Sequence, residues 1–353
     1  MKTTLVLKVN PSHPEIEKVR IAARFIREGG LAAFPTETVY GLGADALNPD
    51  AVLALFEAKK RPLDNPPIVH IENMNDVYRL ASQVPPNAEI LMKEFWPGPL
   101  TLVLKRAEIV PKVTVAGLDT IAIRMPQHNV ALTLIKESHC PIAAPSANLA
   151  GKPSPTSAKH VLDDLDGRID VILDGGPSRI GVESTVVDLT DSPPQVLRPG
   201  GTSFEALKKV VNEITLNPFV SAEKELSIEK VRSPGMKHKH YAPKAKVILV
   251  EGSIPKVASK VKELSDSYNQ KGVRVGILAT DETVKAYQSN MVKSLGSRYN
   301  LAAVAQNLFR LLREFDDCGV EVIIVEGVSS EGIGLAIMNR LRKASGYDII
   351  KTE

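Results

Sequence analysis

The chain has 353 residues, of which 43% are hydrophobic, 24% are charged and only 5% are aromatic. This length and composition indicate a folded protein of two domains, each with its own core, and exclude a disordered chain. The formal net charge of +3 permits contact with phosphates or RNA but does not require it.

Cysteine usage and the amino terminus indicate the cellular compartment. Cys140 and Cys318 lie far apart and form no Cys-x-x-Cys pair, which suggests neither a disulfide framework nor a zinc site. The first ten residues lack the apolar core of a signal peptide, and nowhere do eighteen apolar residues run together. We therefore expect a cytoplasmic protein without a membrane span.

Helical and apolar segments alternate through the first two hundred residues. Their periodicity predicts helices at residues 14–28, 51–60, 129–138 and 203–211. Buried strands are predicted at residues 31–34, 67–71, 100–104, 121–123, 142–144 and 186–187. This alternation is typical of an α/β domain with a twisted mixed sheet, which we assign to residues 1–214.

The pattern lapses after this domain and then resumes. Residues 215–244 contain little apolar periodicity and are interpreted as a linker. Beyond them, the sequence predicts strands at 247–250, 273–278 and 322–325, and helices at 256–268 and 301–315. Residues 245–353 are therefore predicted to form a smaller doubly wound, Rossmann-like domain.

Several common catalytic motifs are absent from the sequence. There is no Gly-x-x-x-x-Gly-Lys-Ser/Thr loop, no dinucleotide fingerprint, no Gly-x-Ser-x-Gly elbow and no His-Glu-x-x-His. These absences argue against a P-loop nucleotide site and against the common hydrolase and metalloprotease classes.

Polar loops follow several of the predicted strands. Thr36 and Thr38 are expected to be exposed at the carboxyl end of one strand, and Lys59 and Arg61 to lie on a turn between a helix and a strand. Each pair alone is compatible with a structural role, because threonine caps helices and cations favour helix carboxyl ends. Their joint occurrence favours a site for carboxylate and phosphate groups. The other polar residues at such positions are Asn65, Arg124, Ser146, Asn148, Ser184 and Arg198.

Four ordered motifs carry a resemblance to a known family. They are Pro-Thr-Glu-Thr-Val-Tyr-Gly-Leu-Gly at 35–43, Lys-Lys-Arg-Pro at 59–62, Ala-Pro-Ser-Ala-Asn at 144–148 and Gly-Val-Glu-Ser-Thr at 181–185. With these motifs and the segments 233–243 and 332–340, essentially the whole chain resembles the two-domain form of the threonylcarbamoyl-AMP synthase family, whose amino-terminal domain is YrdC-like.

The resemblance implies a reaction and its partners. L-Threonine, bicarbonate and ATP would give threonylcarbamoyl-AMP and pyrophosphate, with Mg²⁺ accompanying the triphosphate. The product would serve threonylcarbamoyl-adenosine modification of tRNA beside the anticodon, through a transient downstream tRNA threonylcarbamoyl transferase complex. Weak binding of tRNA itself is compatible with the charge of the chain.

The resemblance also implies the roles of individual residues. The catalytic tetrad around the nucleotide and the carbamate would be Lys59, Arg61, Ser146 and Asn148. Threonine would be bound by Thr38, His70, Arg124, the backbone of Ala144, and Ser184. ATP would be contacted by Arg61, Asn65, Thr120, Ser146, Ser154, Arg198 and Tyr241. No protein metal ligand is assigned.

Some alternatives remain open at this point. A lone histidine at the end of an apolar strand, such as His70, is more often structural than a ligand. The basic linker, with Arg232, Lys237, Lys239 and Tyr241, is either a solvated tether or a lid over the triphosphate. Gly327, Gly332 and Gly334 favour a tight strand-to-helix connection over an anion site.

Two rival functions also stay in view. The first is a carbamoyl-transfer enzyme of the hydrogenase-maturation type, although such proteins carry zinc-finger cysteines that are absent here. The second is a non-catalytic RNA-binding module, which the modest net charge weakens.

Overall fold

The computed structural model describes residues 3–220, 241–287 and 291–352. Within these ranges the chain forms two compact units. The first unit contains residues 3–150 and 154–220, and the second contains residues 151–153, 241–287 and 291–352. Each unit has its own sheet.

Helices of the first unit include all four helical segments predicted there. They are α1 (Ile16–Arg27), α2 (Pro49–Lys59), α3 (Val77–Leu80), α4 (Pro86–Phe95), α5 (Asn129–Ser138), α6 (Ala158–Leu165) and α7 (Phe204–Val210), with a 3₁₀ turn at Met74–Asp76. Helices α1, α2, α5 and α7 confirm predictions from periodicity. Helices α3, α4 and α6 are absent from the sequence prediction.

Helix α2 positions the first basic motif. It begins where the Asn48 side chain accepts hydrogen bonds from the backbone amides of Asp50 (3.0 Å) and Ala51 (3.3 Å), as an N-cap does. It ends at Lys60, whose left-handed backbone (φ 51°) turns the chain. Lys59 and Arg61 therefore lie on the two sides of this turn.

Strands of the first unit form one mixed sheet. They are β1 (Leu5–Lys8), β2 (Ala32–Phe34), β3 (Gly41–Asp45), β4 (Ile68–His70), β5 (Ala81–Gln83), β6 (Leu100–Arg106), β7 (Thr120–Arg124), β8 (Ile142–Ala144), β9 (Val171–Asp174), β10 (Thr185–Asp188), β11 (Gln195–Arg198) and β12 (Thr215–Leu216). The strand order is β1-β9-β2-β3-β8-β4-β7-β6-β10-β11-β12, and β5 pairs with β6. This arrangement confirms the predicted mixed sheet.

The centre of the sheet is the short strand β4. It runs parallel to β7, with His70 opposite Arg124, and antiparallel to β8, with Ile68 opposite Ala144. His70 and Arg124 therefore lie at one end of β4, and Ala144 lies at the other end. The two ends of this three-residue strand are ~7 Å apart, because each residue advances the chain by ~3.3 Å.

Strand β3 is absent from the sequence prediction, since its first three residues belong to the glycine-containing motif 35–43. Glycine is depleted in strands, so the pattern gives no strand signal there. The fold requires it nonetheless: a Cβ at Gly43 would lie 2.7 Å from Ile142 Cγ2 and 2.9 Å from Phe34 Cε1. Close packing of β3 against its neighbours thus explains the glycine.

Apolar clusters support both faces of this sheet. One joins α4 and α7 to β6 and β7, and another joins α1 and α5 to β2 and β9. Each fully buried Leu or Val side chain contributes ~1.5–3 kcal/mol, so the strands that carry the polar motifs are firmly held.

The second unit is a parallel sheet covered by helices. Its strands are β13 (Lys246–Gly252), β14 (Val275–Ala279), β15 (Val292–Ser294), β16 (Val322–Glu326) and β17 (Ile349–Thr352). Its helices are α8 (Ile254–Gln270), α9 (Leu301–Asp317) and α10 (Gly334–Ala344), with a 3₁₀ turn at Val284–Ala286. The strand order β15-β14-β16-β13-β17 has parallel neighbours throughout and confirms the predicted doubly wound fold.

The segment interpreted as a linker is only partly described. Residues 215–220 belong to the first unit, where β12 pairs with β11 through Thr215 and Gln195. A two-residue strand is too short for periodicity to detect. Residues 221–240, with Arg232, Lys237 and Lys239, lie outside the described residues. The hypothesis that this segment is a lid therefore stays untested. None of the described helices has the length and apolar character needed to cross a bilayer.

Candidate active site

Arg124 ends β7 and is almost fully buried, at 3% exposure. Its Nε donates to the carbonyl oxygen of Gly98 (3.2 Å), and its Nη1 donates to Thr38 Oγ1 (2.9 Å). Its Nη2 lies 2.6 Å from Oε2 of Glu37, which is itself completely buried. The structure thus brings together two residues predicted for threonine, Thr38 and Arg124, and adds a carboxylate that the prediction did not include.

The expectation that the turn around Thr38 exposes its hydroxyl groups is wrong. Thr36 and Thr38 are buried (2% and 1% exposed) and not exposed as expected. The Thr36 hydroxyl lies 2.7 Å from the Thr38 hydroxyl and donates to the carbonyl oxygen of Val39 (2.6 Å). The reason is that other segments cover the turn: the backbone amides of Ile180 and Gly181 donate to the carbonyl oxygens of Glu37 (2.8 Å) and Thr38 (3.1 Å), and Arg124 contacts the Thr38 hydroxyl.

His70 lies beside Arg124 and is also buried. Its Nδ1 lies 3.1 Å from the carbonyl oxygen of Ile68, and its ring meets Phe34 edge to face with centroids 6.1 Å apart. Burial, together with the nearby positive charge of Arg124, lowers the pKa of His70 from 6.5 to about 3. The imidazole is therefore neutral at pH 7.

This lowered pKa predicts how acid affects stability. Because the folded pKa of His70 lies below the unfolded value, the unfolded chain binds one more proton between pH ~3 and ~6.5, so stability falls as pH decreases through this window. We expect His70→Asn to flatten this dependence by up to ~1.4 kcal/mol per pH unit. The urea midpoint at pH 4.5, 5.5 and 6.5 measures it, since the single tryptophan, Trp96, lies in the first unit and reports its unfolding.

Exposed His13 supplies the control for this titration. His13→Asn should leave the pH dependence of the urea midpoint as it is in the parent protein. An unaltered slope in the His70→Asn variant would show that His70 is protonated in the folded protein, contrary to the prediction.

A second group of predicted residues lies at the other end of β4. Lys59 is 1% exposed, and its ammonium donates to the backbone carbonyls of Ser146 and Asn148. The Ser146 hydroxyl donates to Asn148 Oδ1 (2.5 Å). Ser146 also bridges to Gly41 at the start of β3. Three members of the predicted tetrad are therefore in direct contact.

Arg61 and Asn65 form the adjoining part of this group. Arg61 Nε donates to the Asn65 carbonyl (2.9 Å), and Arg61 Nη2 donates to the Pro66 carbonyl (3.3 Å). Asn65 is 1% exposed, and its Oδ1 accepts no hydrogen bond from the part of the chain that the structure describes. Extending the register of β4 and β7 by three residues brings Thr120 level with Pro66, so Thr120 lies towards the same end.

The position of this second group departs from a simple parallel-sheet cleft. The polar loops were expected where a parallel sheet opens at the carboxyl ends of its strands. Strand β8 instead runs antiparallel to β4, so Ala144, with Ser146 after it, lies beside the start of β4. Ala144 itself is buried and ends β8.

Ser184 and Arg198 lie towards the Arg124 end. Arg198 Nη2 donates to the Ser184 carbonyl (2.9 Å) and hydroxyl (3.2 Å), and the Ser184 hydroxyl lies 2.8 Å from that of Thr101. Gly200 permits this contact, because a Cβ there would lie 2.3 Å from backbone atoms of Glu183, Ser184 and Thr185. Arg198, predicted for ATP, is thus joined directly to Ser184, predicted for threonine.

The two remaining predicted residues lie apart from these contacts. The Ser154 hydroxyl donates to Glu183 Oε1. Tyr241 belongs to the second unit, where its ring stacks on Phe309 (centroids 5.4 Å apart) and lies 5.1 Å below the guanidinium of Arg340. This packing does not test whether Tyr241 contacts ATP, so the assignment of Tyr241 to ATP stays a prediction.

Glu37 and Glu183 are the two site residues that sequence reasoning missed. Both stand inside the quoted motifs, each beside a hydroxyl residue that was assigned a role. Their carboxylates are buried and contact Arg124 and Ser154, respectively. A buried charge needs a partner, so an acid paired with the predicted arginine could have been expected, but no signal in the sequence singles out Glu37.

Comparisons with known proteins agree with this architecture. Residues 24–200 match the Sua5/YciO/YrdC family, described as telomere recombination, and residues 202–346 match the carboxyl-terminal domain of threonylcarbamoyl-AMP synthase. The threonylcarbamoyl-AMP synthase of Pyrococcus abyssi is 54% identical over 95% of this chain and 96% of its own length. That of Bacillus subtilis is 50% identical over 98% of this chain and 96% of its own length.

A solved structure is similar over both units. The crystal structure of Pyrococcus abyssi Sua5 complexed with L-threonine matches with a TM-score of 0.94 and 53% identity. The match covers 99% of this chain and 100% of that chain.

Proposed function

The chain belongs to the threonylcarbamoyl-AMP synthase family, and we propose that it makes threonylcarbamoyl-AMP from L-threonine, bicarbonate and ATP with release of pyrophosphate. The product supplies the threonylcarbamoyl group for the adenosine next to the anticodon of tRNA. The reaction takes place in the cytoplasm, and a tRNA threonylcarbamoyl transferase complex then consumes the mixed anhydride.

One observation carries the proposal: the two groups of polar residues bracket β4. At one end, Arg124 and Thr38 form a buried cation and hydroxyl suited to the threonine carboxylate. At the other end, Lys59 and Arg61 supply cations beside the Ser146 turn, suited to phosphates. A separation of ~7 Å along β4 is compatible with an amino acid and an α-phosphate that react with each other.

The reaction is described by the bonds that form and break. The threonine amine joins the carbon of bicarbonate, with loss of water, to give a carbamate. A carbamate oxygen then bonds to the α-phosphorus of ATP while the bond from that phosphorus to the pyrophosphate oxygen breaks. Negative charge grows on the leaving pyrophosphate, so fixed cations stabilise the transition state without a covalent nucleophile.

The residues at the threonine end contribute binding and orientation. Arg124 holds the substrate carboxylate, and Thr38 and Ser184 offer hydroxyl groups beside it. His70 is neutral at pH 7 and therefore does not compete with Arg124 for that carboxylate. Holding the carbamate at the phosphate contributes to the acceleration together with charge stabilisation by the cations.

Mg²⁺ enters the proposal as part of the ATP substrate. The described residues contain no group of three or more His, Cys, Asp or Glu side chains that could hold a metal ion. The donor set therefore does not fit a dedicated protein cage, and phosphate and water oxygens would be the principal ligands of the ion.

Pyrophosphate release with each component omitted in turn tests the proposal. We expect release to require ATP, threonine and bicarbonate together, and mass spectrometry to detect threonylcarbamoyl-AMP. Release that does not depend on threonine would contradict the proposal and favour a carbamoyl-transfer reaction. Absence of release, with salt-dependent binding of any tRNA, would favour the RNA-binding alternative.

A further inference from the structure

The buried carboxylate of Glu37 has no assigned role in the reaction. It is completely buried, and one of its oxygens, Oε2, lies 2.6 Å from Arg124 Nη2. Neither of these two atoms completes an aligned hydrogen bond within the described structure, so their interaction is an ion pair. The other oxygen, Oε1, accepts a hydrogen bond from the backbone amide of Gln127 (3.1 Å), which fixes the carboxylate to the segment after β7.

Three contacts hold the guanidinium of Arg124 in one orientation. Its Nε contacts the Gly98 carbonyl, its Nη1 contacts the Thr38 hydroxyl, and its Nη2 contacts Glu37. The Nη2 atom is out of contact with solvent, as is Glu37 Oε2. A ligand therefore cannot reach Glu37 in this arrangement, and the Glu37 contact occupies the Nη2 side of the guanidinium, opposite the Nη1 atom that contacts Thr38.

We propose that Glu37 is a positioning residue for substrate recognition, which fixes Arg124 from behind so that its Nη1 edge meets the carboxylate of threonine. This inference rests on the proposed function, in which Arg124 binds that carboxylate. One short turn supplies two of the three contacts to the guanidinium, since Thr38 follows Glu37 directly. The turn thereby sets the orientation of the planar Arg124 guanidinium. Recognition of a carboxylate by this fork of donors depends on that orientation.

The counter-charge also explains how a cation persists at this depth. A guanidinium removed from water without a partner carries a large desolvation penalty. Without the Glu37 charge, Arg124 would turn towards any other acceptor or towards water, and the fork would lose its fixed direction. Loss of the Glu37 charge should therefore reduce selectivity for the carboxylate, in addition to any effect on the stability of the fold.

A pair of ligands separates these two effects. L-Threoninol keeps the amine and the side chain of threonine but replaces the carboxylate with an alcohol. We expect calorimetric titration of the parent protein to give much tighter binding of threonine than of threoninol. In the Glu37→Gln variant this preference should fall by at least ~10-fold, which is ~1.4 kcal/mol, while the affinity for ATP stays unchanged.

A double-mutant cycle then tests whether Glu37 acts through Arg124. Once Arg124→Gln has removed the fork, the additional change Glu37→Gln should leave the threonine-to-threoninol preference as it is, because the two side chains form one unit. Glu28→Gln, a change at an exposed acid that pairs with Arg24, should behave as the parent protein.

The opposite results are equally distinct. A Glu37→Gln variant that binds both ligands more weakly by the same factor, or binds as the parent does, would overturn the positioning role. If this variant does not fold, Glu37→Asp keeps the charge but shortens the side chain, and an unaltered preference in that variant would also overturn it. A parent protein that binds neither ligand would instead overturn the proposed function.

Discussion

Replacement of Lys59 by alanine is expected to reduce pyrophosphate release at least ~100-fold, the effect usually found when one preorganised charge-stabilising group is removed. The side chain is 1% exposed and its ammonium donates to the backbone carbonyls of Ser146 and Asn148. The change therefore removes a cation from the proposed phosphate end and also leaves two carbonyls of the Ser146 turn, one buried and one part-buried, without this donor. Both effects lower kcat in the same direction.

The neighbouring lysine provides a matched control. Lys60 is exposed and has the same charge, so Lys60→Ala should release pyrophosphate at close to the parent rate. Lys59→Met keeps the apolar stem of the side chain and removes only the ammonium. If Lys59→Met retained parent activity while circular dichroism showed a folded protein, the assignment of Lys59 to catalysis would be wrong.

The two roles of Lys59 can be separated by the kinetic constants. Loss of the phosphate contact should raise the KM for ATP or lower kcat without a change in threonine affinity. Disruption of the Ser146 turn should weaken the binding of threonine as well, because β8 and β4 are paired and β4 carries His70. Measurement of threonine binding in the absence of ATP distinguishes these possibilities.

Periodicity predicted most of the fold, and the short motifs supplied the candidate site residues, whose roles stay predictions. The predicted strand at 121–123 lies within β7, and Arg124 stands at its end as the pattern indicates. The order of the strands could not be obtained this way. The antiparallel direction of β8, which places Ser146 at the start of β4, depends on contacts between residues more than seventy positions apart.

The buried acids were beyond the reach of pattern analysis for a related reason. Glu37 and Arg124 form an ion pair between segments that are remote in sequence. In the sequence, neither residue differs from an ordinary polar residue. Glu326 ends a continuous apolar run, and nothing in that run indicates that its carboxylate is completely buried. Such pairs become visible only when the chain is folded, because the energy of a buried charge depends on its surroundings.

Glu326 is the basis of the second large expected effect, which concerns the stability of the second unit. Its carboxylate accepts hydrogen bonds from the hydroxyls of Thr283 (2.7 Å) and Tyr287, and its Oε2 lies 3.1 Å from Arg298 Nη2. Burial and the hydrogen bond to this carboxylate raise the pKa of the Tyr287 phenol far above its usual value, so the phenol remains a donor. One carboxylate therefore ties the loop after β14 to the end of β16.

Removing this charge should loosen the loop and the adjoining strands. We expect Glu326→Gln to lower the free energy of unfolding of the second unit by ~3–5 kcal/mol, because it removes the nearer of the two carboxylates paired with Arg298 and the charged acceptor of the Thr283 and Tyr287 hydroxyls. Hydrogen exchange of peptides from β14 and β16 measures this change in the full chain, and it should become faster by two or more orders of magnitude if exchange follows unfolding.

Two internal comparisons keep this test specific. Trp96 reports unfolding of the first unit, so its urea transition separates an effect on that unit from the expected effect on β14 and β16. Glu331 lies on the exposed turn before α10, and Glu331→Gln should change stability by less than ~0.5 kcal/mol. If the β16 peptides of Glu326→Gln exchange at the parent rate, the contacts to Thr283, Tyr287 and Arg298 contribute little to the stability of the second unit. The apolar core alone would then hold this end of β16.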